Sequence, residues 1–452
     1  CRDTDELMLV NKGTSENGDV AEYWKYTYEG VDRANDAITN LHKAPLSAEK
    51  YARLMAESKF LRAYFYYKLN IVFKGIPIYL GPVDINGFTK GRETEAAVWA
   101  QVLSDLNDCI AETNLPARYE KGSPEFGRIT KSAAYALRGK VYLYQKEWAK
   151  AEVDFKEVEK AGHALFQGGY KALFKEANEQ SPEMIFSVQN IGLDGLGNDV
   201  SFRYGTRSSF GSCWNTYLVN TDFVDSYENA DGSKFNMPAK ERSAYFLRDG
   251  LTEDEKKKMT EYGANLAVYK STGNEARIKA AYGARDPRLT ATIITPYSPY
   301  IGSYSSKDVE VTLRWPYRVD NVAPFDLRTD TNSKFYYLYR KFVAEGASEI
   351  PNRSYSPIDF PLIRYADVVL NLAEALNEQN KVSEAVTYVN QVRKRAGVAE
   401  LNSNANTQVA GQADLKERIR NERRWELAGE GVTVFDEMRW GTWKNSKFFK
   451  GA

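Results

Sequence analysis

At 452 residues the chain outgrows the ~300 residues at which a single hydrophobic core usually stops growing, so it holds two or three average domains or one large helical array with insertions. Its 61 lysines and arginines equal its 61 aspartates and glutamates, so no net field favours a polyanion or an anionic bilayer, which argues against nucleic acid as a partner. Two histidines and three cysteines, without a CxxC pair, offer no metal site, nucleophilic triad or disulfide framework, and no apolar run reaches the ~18 to 20 residues that cross a bilayer.

In chain order, Trp24, Tyr28, Val31, Ala34 and Ile38 recur at three- and four-residue steps and predict an amphipathic helix from Glu22 to Ile38. His42 follows it as a helix-end residue. Ser47 is a good N-cap for a second helix that runs through Leu54, Phe60, Leu61 and Tyr64 to Val72 and stops before Gly75 and Pro77. Two further helices are expected over Thr94 to Thr113 and Thr130 to Gln145, separated by Pro116, Gly122 and Pro124. Cys109 falls in the first of these as a small buried apolar residue, and His163, after a glycine, reads as a second helix-end histidine.

A repeat is the strongest internal signal. Gly139, Tyr142, Trp148, Ala151, Phe155 and Val158 have tetratricopeptide spacing, in which small residues sit where two antiparallel helices cross most closely. Ala373, Leu376, Val382, Ala385, Val389 and Val392 repeat the pattern, each 234 residues after its counterpart. The expected fold is therefore mainly α: a tetratricopeptide-like scaffold over residues 20–165 and 355–445, interrupted by an irregular, loop-rich insertion over residues 166–354. The insertion carries short strand-like pieces, Met184 to Gln189 and Ala291 to Thr295, with frequent glycine and proline. Aromatics without helical period stand in it: Phe202, Tyr204, Phe210, Trp214, Tyr217, Tyr297, Tyr300, Tyr304, Trp315 and Tyr317. With 13% aromatic residues and 30 tyrosines, more polar-tipped ring is present than a core needs, and some of it should be exposed.

Five elements in order resemble the SusD/RagB proteins, outer-membrane lipoproteins of Bacteroidetes. They are Ala56-Glu57-Ser58-Lys59-Phe60-Leu61-Arg62-Ala63-Tyr64 with Gly75-Ile76-Pro77; Arg285-Asp286-Pro287-Arg288; Arg364-Tyr365-Ala366-Asp367-Val368 leading into Ala373 to Glu378; Asn390-Gln391-Val392-Arg393 with Arg395-Ala396-Gly397; and Glu422 to Leu427 continuing to Phe435-Asp436 and Arg439-Trp440. Physically these read as scaffold. Asp367, near a helix start, is placed to receive free backbone amides. Glu374 and Glu378 share a helix face and are placed to accept from Arg393 or Arg395, and Glu422, Arg423, Arg424 and Glu426 suit a mutually paired polar seam. Carboxylates four apart on one helix point the same way, whereas glycoside hydrolysis needs two flanking a bond ~5 to 9 Å apart, so no catalytic pair is expected.

The resemblance implies a non-catalytic, cofactor-free protein, held at the cell surface by a lipid anchor, that binds oligosaccharides, or peptides in RagB-like relatives, for a SusC-like TonB-dependent transporter. Thr4-Asp5-Glu6 resembles an element that relatives carry several dozen residues after the lipidated cysteine. The expectation is thus a missing N-terminal segment, with acylation of Cys1 as the alternative. Family ligand sites draw aromatics from the stretch before the element resembling Asn220-Thr221-Asp222-Phe223-Val224-Asp225, here Phe202 to Tyr217. Sugar C–H faces pack on such rings. Trp214 is the first candidate, then Tyr217, Phe210, Tyr204 and Phe202, with Asn11 near the Asp5-Glu6 element and Tyr300 and Trp315 from later segments. A tetratricopeptide adaptor for protein partners is the competing class, and a polysaccharide-degrading enzyme ranks below it.

Overall fold

The computed structural model describes residues 18–84, 86–235, 274–304, 307–313, 323, 325–327 and 337–447. Cys1, the Asp5-Glu6 element, Asn11, Trp315 and Tyr317 lie outside the described residues.

The chain opens on α1 (Gly18–Asn40), α2 (Ala48–Phe73), α3 (Glu95–Ala111), α4 (Lys131–Tyr144) and α5 (Trp148–Lys160). Three of them start at the expected caps. The hydroxyls of Ser47, Thr94 and Thr130 accept from the backbone N–H of Lys50, Ala97 and Ala133 at 3.3, 3.1 and 3.2 Å, each worth about 1 kcal/mol. α2 is flanked by α1 and α3 and buries residues around much of its circumference, among them Phe60, Tyr66 and Leu69. It ends at Lys74 and Gly75, both with positive φ. A Cβ on Gly75 would collide with the carbonyl oxygen of Glu93, so the chain turns there only on glycine.

The second helical run is α11 (Tyr365–Glu378), α12 (Val382–Ala396), α13 (Gln412–Glu426), α14 (Thr433–Trp440) and α15 (Trp443–Lys447). The repeat register holds down to the backbone. α4 ends at Tyr144 and α11 at Glu378; α5 begins at Trp148 and α12 at Val382; both hairpins turn through a left-handed residue, Lys146 (φ 59°) and Asn380 (φ 62°). All of these pairs are 234 residues apart. α5 packs against α11, so the two hairpins share one apolar core with α1 to α3.

Between the runs lies the loop-rich insertion, with short helices α6 (Tyr170–Leu173), α7 (Val200–Tyr204), α8 (Thr221–Ser226), α9 (Asn274–Gly283) and α10 (Pro287–Thr292). Its strands are β1 (Met184–Val188), β2 (Ile293–Ile294), β3 (Tyr300–Tyr304), β4 (Lys307–Thr312), β5 (Phe325–Asp326) and β6 (Leu338–Tyr339), and β7 (Phe360–Arg364) leads into α11. β1 pairs antiparallel with β7 and β2 with β6, while β3, β4 and β5 form a third sheet in which β4 and β5 run parallel. The strand expected from Ala291 is shorter than its pattern suggested. Ala291 and Thr292 complete α10, which Asp286 caps by accepting from Arg288 N at 2.9 Å with Pro287 in its first turn.

Insertion and scaffold are joined by buried charge. Arg364 donates to Glu183 at 2.6 Å, Glu426 at 2.7 Å and Glu430 at 2.8 Å, and Arg288 donates to Asp286, Glu422 and Glu426 at 2.7, 2.6 and 3.0 Å. Three expected pairings change here. Arg393 and Arg395 face away from Glu374: Arg393 meets Glu422 and Glu228, and Arg395 meets Glu183 and Glu426. Glu374 instead takes Arg439 and the Trp440 indole from α14, and Glu378 takes Lys416. Asp367 receives no helix amide; it accepts from Lys140 at 2.6 Å and Arg423 at 2.7 Å, tying the first repeat to the second. The run from Glu422 to Glu426 is a seam whose members pair with other elements instead of with one another. His163 lies beyond the end of α5 with its ring buried, Nδ1 2.9 Å from the Pro182 carbonyl oxygen, so it is a packed residue and not a helix-terminal charge.

Candidate functional site

The segment from Phe202 to Tyr217 doubles back on itself. Trp214 N donates to Phe202 O at 3.0 Å, Asn215 N to Gly205 O at 2.7 Å and Cys213 N to Thr206 O at 3.0 Å, so the return limb lies along α7. The close approach needs Gly205, where a Cβ would stand 2.8 Å from that of Cys213. Gly211, Ser212 and Asn215 take positive φ, which throws the intervening backbone outward.

This geometry brings four of the expected rings into two pairs. Phe202 and Trp214 lie with centroids 4.9 Å apart, and Tyr204 meets Tyr217 edge-on at 5.8 Å. Trp214 is 48% exposed and Tyr217 39%, so both remain open to solvent. Phe210 is half-buried and stacks on none of them. A fifth ring was missed by sequence reasoning: Tyr339, on β6, lies under Tyr204 at 4.4 Å with planes 23° apart. Its signal was only the tyrosine-rich run before it. Burial, and then the neighbouring Tyr339 and Tyr217 hydroxyls, push the Tyr204 phenol above its usual range, so it stays a neutral hydrogen-bonding group.

Tyr300 is corrected from ligand contact to support. It is fully buried, its hydroxyl 2.7 Å from Ser209 Oγ and 3.3 Å from the Ala344 carbonyl oxygen, so no ligand reaches it. Beside it, Ser303 N donates to Ser208 O at 2.7 Å, and a Cβ on Gly302 would strike that same oxygen. β3 thus grips the loop from below and holds it in one shape before any ligand arrives.

Arg353 grips it from the side. Its Nη1 donates to the carbonyls of Gly211 and Ser212 at 2.5 and 2.7 Å, and the guanidinium stands 4.8 Å from the Phe202 ring centre. Nothing in the sequence marked this arginine. Asn11 and Trp315, outside the described residues, have no place assigned. The platform is open: a cleft of about 680 Å³ bounded by Tyr170, Arg340 and Lys394, and another of about 460 Å³ bounded by Trp24, Tyr28 and Phe88, are lined by none of its residues.

Among the described residues no group of three or more His, Cys, Asp or Glu side chains is placed to hold a metal ion, and no helix is long and apolar enough to cross a membrane. Residues 3–143 match the sequence model of a family described as starch-binding, associating with the outer membrane. SusD-like protein P25 of Formosa agariphila is 26% identical over 425 residues, 93% of this chain and 70% of that protein. SusD-like protein P38 of the same organism is 24% identical, covering 97% of this chain and 75% of that one. A SusD-like carbohydrate-binding protein from Bacteroides fragilis superposes with a TM-score of 0.75 at 23% identity, over 98% of this chain and 77% of that one. A laminarin-binding SusD-like protein does so with 0.66 at 22%, over 97% and 86%. Residues 182–450, well over half of the sequence, match the model of the SusD family, and the chain belongs to that family.

Proposed function

We propose that this chain is a non-catalytic binding protein of the outer cell surface that captures oligosaccharides on the Phe202–Trp214 platform and delivers them to a SusC-like TonB-dependent transporter. The observation that carries the reading is an exposed indole on a loop locked from two sides, by β3 and by Arg353. A ring held this way stacks on a sugar without first being ordered, so little of the contact energy is lost to immobilisation. Tyr217, Tyr204 with Tyr339 beneath it, and Phe210 extend the surface, and Asn11 and Trp315 are candidates from segments outside it. The scaffold, residues 20–165 and 355–445, carries the insertion, residues 166–354, as its ligand-facing side. Family membership supports carbohydrate as the ligand class and the outer membrane as the location. Against hydrolysis by the helix pair considered in the sequence stands its fate in the fold: Glu374 and Glu378 are held by Arg439 and Lys416 in the scaffold.

The test is an array of glycans and peptides read both for binding and for released product. Binding of glycans without product is the expected result. Turnover would overturn the reading, and binding of peptides alone would replace oligosaccharide by peptide as the cargo.

A further inference from the structure

The proposed site holds a charge that its own fold does not neutralise. Arg353 uses Nη1 for the Gly211 and Ser212 carbonyls and lays its guanidinium 4.8 Å from the ring centre of Phe202. No carboxylate pairs with it among the described residues, and its Nε and Nη2 take no partner while retaining contact with solvent. The nearest acidic side chain in sequence on α7's side, Asp199, is engaged by Arg203 at 2.5 Å. Four buried guanidiniums, those of Arg288, Arg364, Arg393 and Arg423, each meet at least two carboxylates, whereas buried Arg285, like Arg353, donates to backbone carbonyls, those of Val224 and Tyr227.

The atoms left over form the side-on edge of the guanidinium, Nε with Nη2, which presents two parallel N–H groups to one oxyanion. Because Nη1 is anchored to backbone carbonyls, that edge is aimed before a ligand binds. Burial pushes the Cys213 thiol up to about 11 while the Arg353 guanidinium pulls it the other way, so that charge acts on the centre of the loop.

We propose that the ligand of this site is an anionic oligosaccharide, whose carboxylate or sulfate ester sits on the Nε–Nη2 edge of Arg353 while a neighbouring sugar ring stacks on Trp214. The proposal rests on the aromatic-loop reading above and adds the charge class of the ligand. A hexuronic acid and a sulfated sugar present the same chemistry here, an oxyanion carried on a short arm outside a ring that still has an apolar face.

The test measures affinity by calorimetry for three tetrasaccharides: an oligogalacturonate, a sulfated galactan fragment and a neutral β-glucan. Wild type, Arg353→Gln, Arg353→Lys and Trp214→Ala are compared. The expected result is preference for one or both anionic probes, falling steeply as salt rises from about 50 to about 500 mM, with the better anionic probe naming the group. Arg353→Gln should lose about tenfold or more for that probe and Arg353→Lys less, and in both the loss for the neutral glucan, which reports only the loosened loop, should be much smaller. A neutral probe that binds best, without salt dependence and with loss only in Trp214→Ala, overturns the charge assignment and leaves the aromatic site standing. Equal loss on all probes in Arg353→Gln makes Arg353 a loop strut and also overturns it. Failure of all three probes with the wild-type protein overturns the aromatic site and this proposal together.

Discussion

Gly139 on α4 lies against the ring of Phe155 on α5 so closely that a Cβ added to the glycine would stand 2.5 Å from a ring carbon. The repeat counterparts, Ala373 and Val389, occupy the same positions of the second hairpin and are fully buried. One hairpin thus combines no side chain with a large ring, the other a methyl with a smaller branched chain.

Gly139→Ala should therefore destabilise the fold despite alanine's better helix propensity. The substitution recovers about 1 kcal/mol of propensity and faces an overpacking cost of about 1 to 3 kcal/mol, for a net loss of up to about 2 kcal/mol. Phe155→Val alone should cost about 2 to 3 kcal/mol through the cavity it leaves. Together they convert the first crossing toward the second, and the double variant should be more stable than the sum of the two losses predicts. Urea denaturation of all four proteins checks this, and simple additivity would show that the two side chains do not share the space.

Arg364 serves three carboxylates that are all fully buried, so removing it strands negative charge. Arg364→Met should cost about 3 to 5 kcal/mol, whereas Lys160→Met, whose pair with Glu157 is exposed, should change stability by less than about 0.5 kcal/mol. Comparable denaturation midpoints for the two variants would refute a structural role for the network.

The network also fixes the acid limit. Burial alone would raise the Glu426 carboxyl, but Arg395, Arg364 and Arg288 outweigh it and hold the group down at about 2. A carboxyl that titrates lower in the folded than in the unfolded chain stabilises the fold fully above the unfolded value, near 4.5. That contribution fades as pH falls toward 2, and it amounts to roughly 3 kcal/mol for this group. Glu426→Gln should lower stability at neutral pH and flatten the loss between about pH 4.5 and 2. An unchanged slope across that window would remove Glu426 from the acid response.

Much of this architecture was legible because helices announce themselves locally. The hydroxyls of Ser47, Thr94 and Thr130, and the 234-residue register from Gly139 to Val392, depend on near neighbours and recur down to the left-handed turns at Lys146 and Asn380. The charged seam was visible as a seam but not as a set of pairs. Which carboxylate Arg395 meets is decided by where an insertion of some 190 residues returns to the scaffold, a long-range fact. The ring cluster was half visible for the same reason. Phe202, Tyr204, Trp214 and Tyr217 lie within one loop, whereas Tyr339 and Arg353 reach it from segments more than 120 residues away, and Tyr300 looked like its neighbours until burial separated it from them.

Trp214 and Tyr300 should accordingly fail in different ways. Trp214→Ala removes an exposed ring and should weaken glycan binding by about 1 to 3 kcal/mol with an unchanged melting curve. Tyr300→Phe leaves the buried Ser209 hydroxyl without that partner and should lower stability by about 1 kcal/mol, with a smaller, indirect effect on affinity through a looser loop. Calorimetry and thermal melts on both variants separate the roles. A Trp214→Ala protein with wild-type affinity for a bound glycan would take the indole out of the site.

The last prediction concerns the recipient of the ligand. A binding protein without catalysis contributes to nutrition only by handing its ligand onward, and the proposed recipient is a TonB-dependent β-barrel. If the ligand sits on the proposed Trp214 platform, the recipient must approach without covering it permanently, which a hinged contact along the scaffold satisfies. A specific contact of this kind buries upward of ~1,000 Å² and survives gentle detergent extraction. The chain, expressed in its native host in full-length form and extracted from outer membranes, should therefore bring a TonB-dependent barrel with it when captured through a tag, identified by mass spectrometry. With the ligand platform and the proposed barrel contact on separate surfaces, the Trp214→Ala protein should bring the same barrel in equal yield. Recovery of the protein without any such barrel, under conditions that hold a known complex of this kind together, would count against uptake and favour a tetratricopeptide adaptor that meets its partners through the helical scaffold.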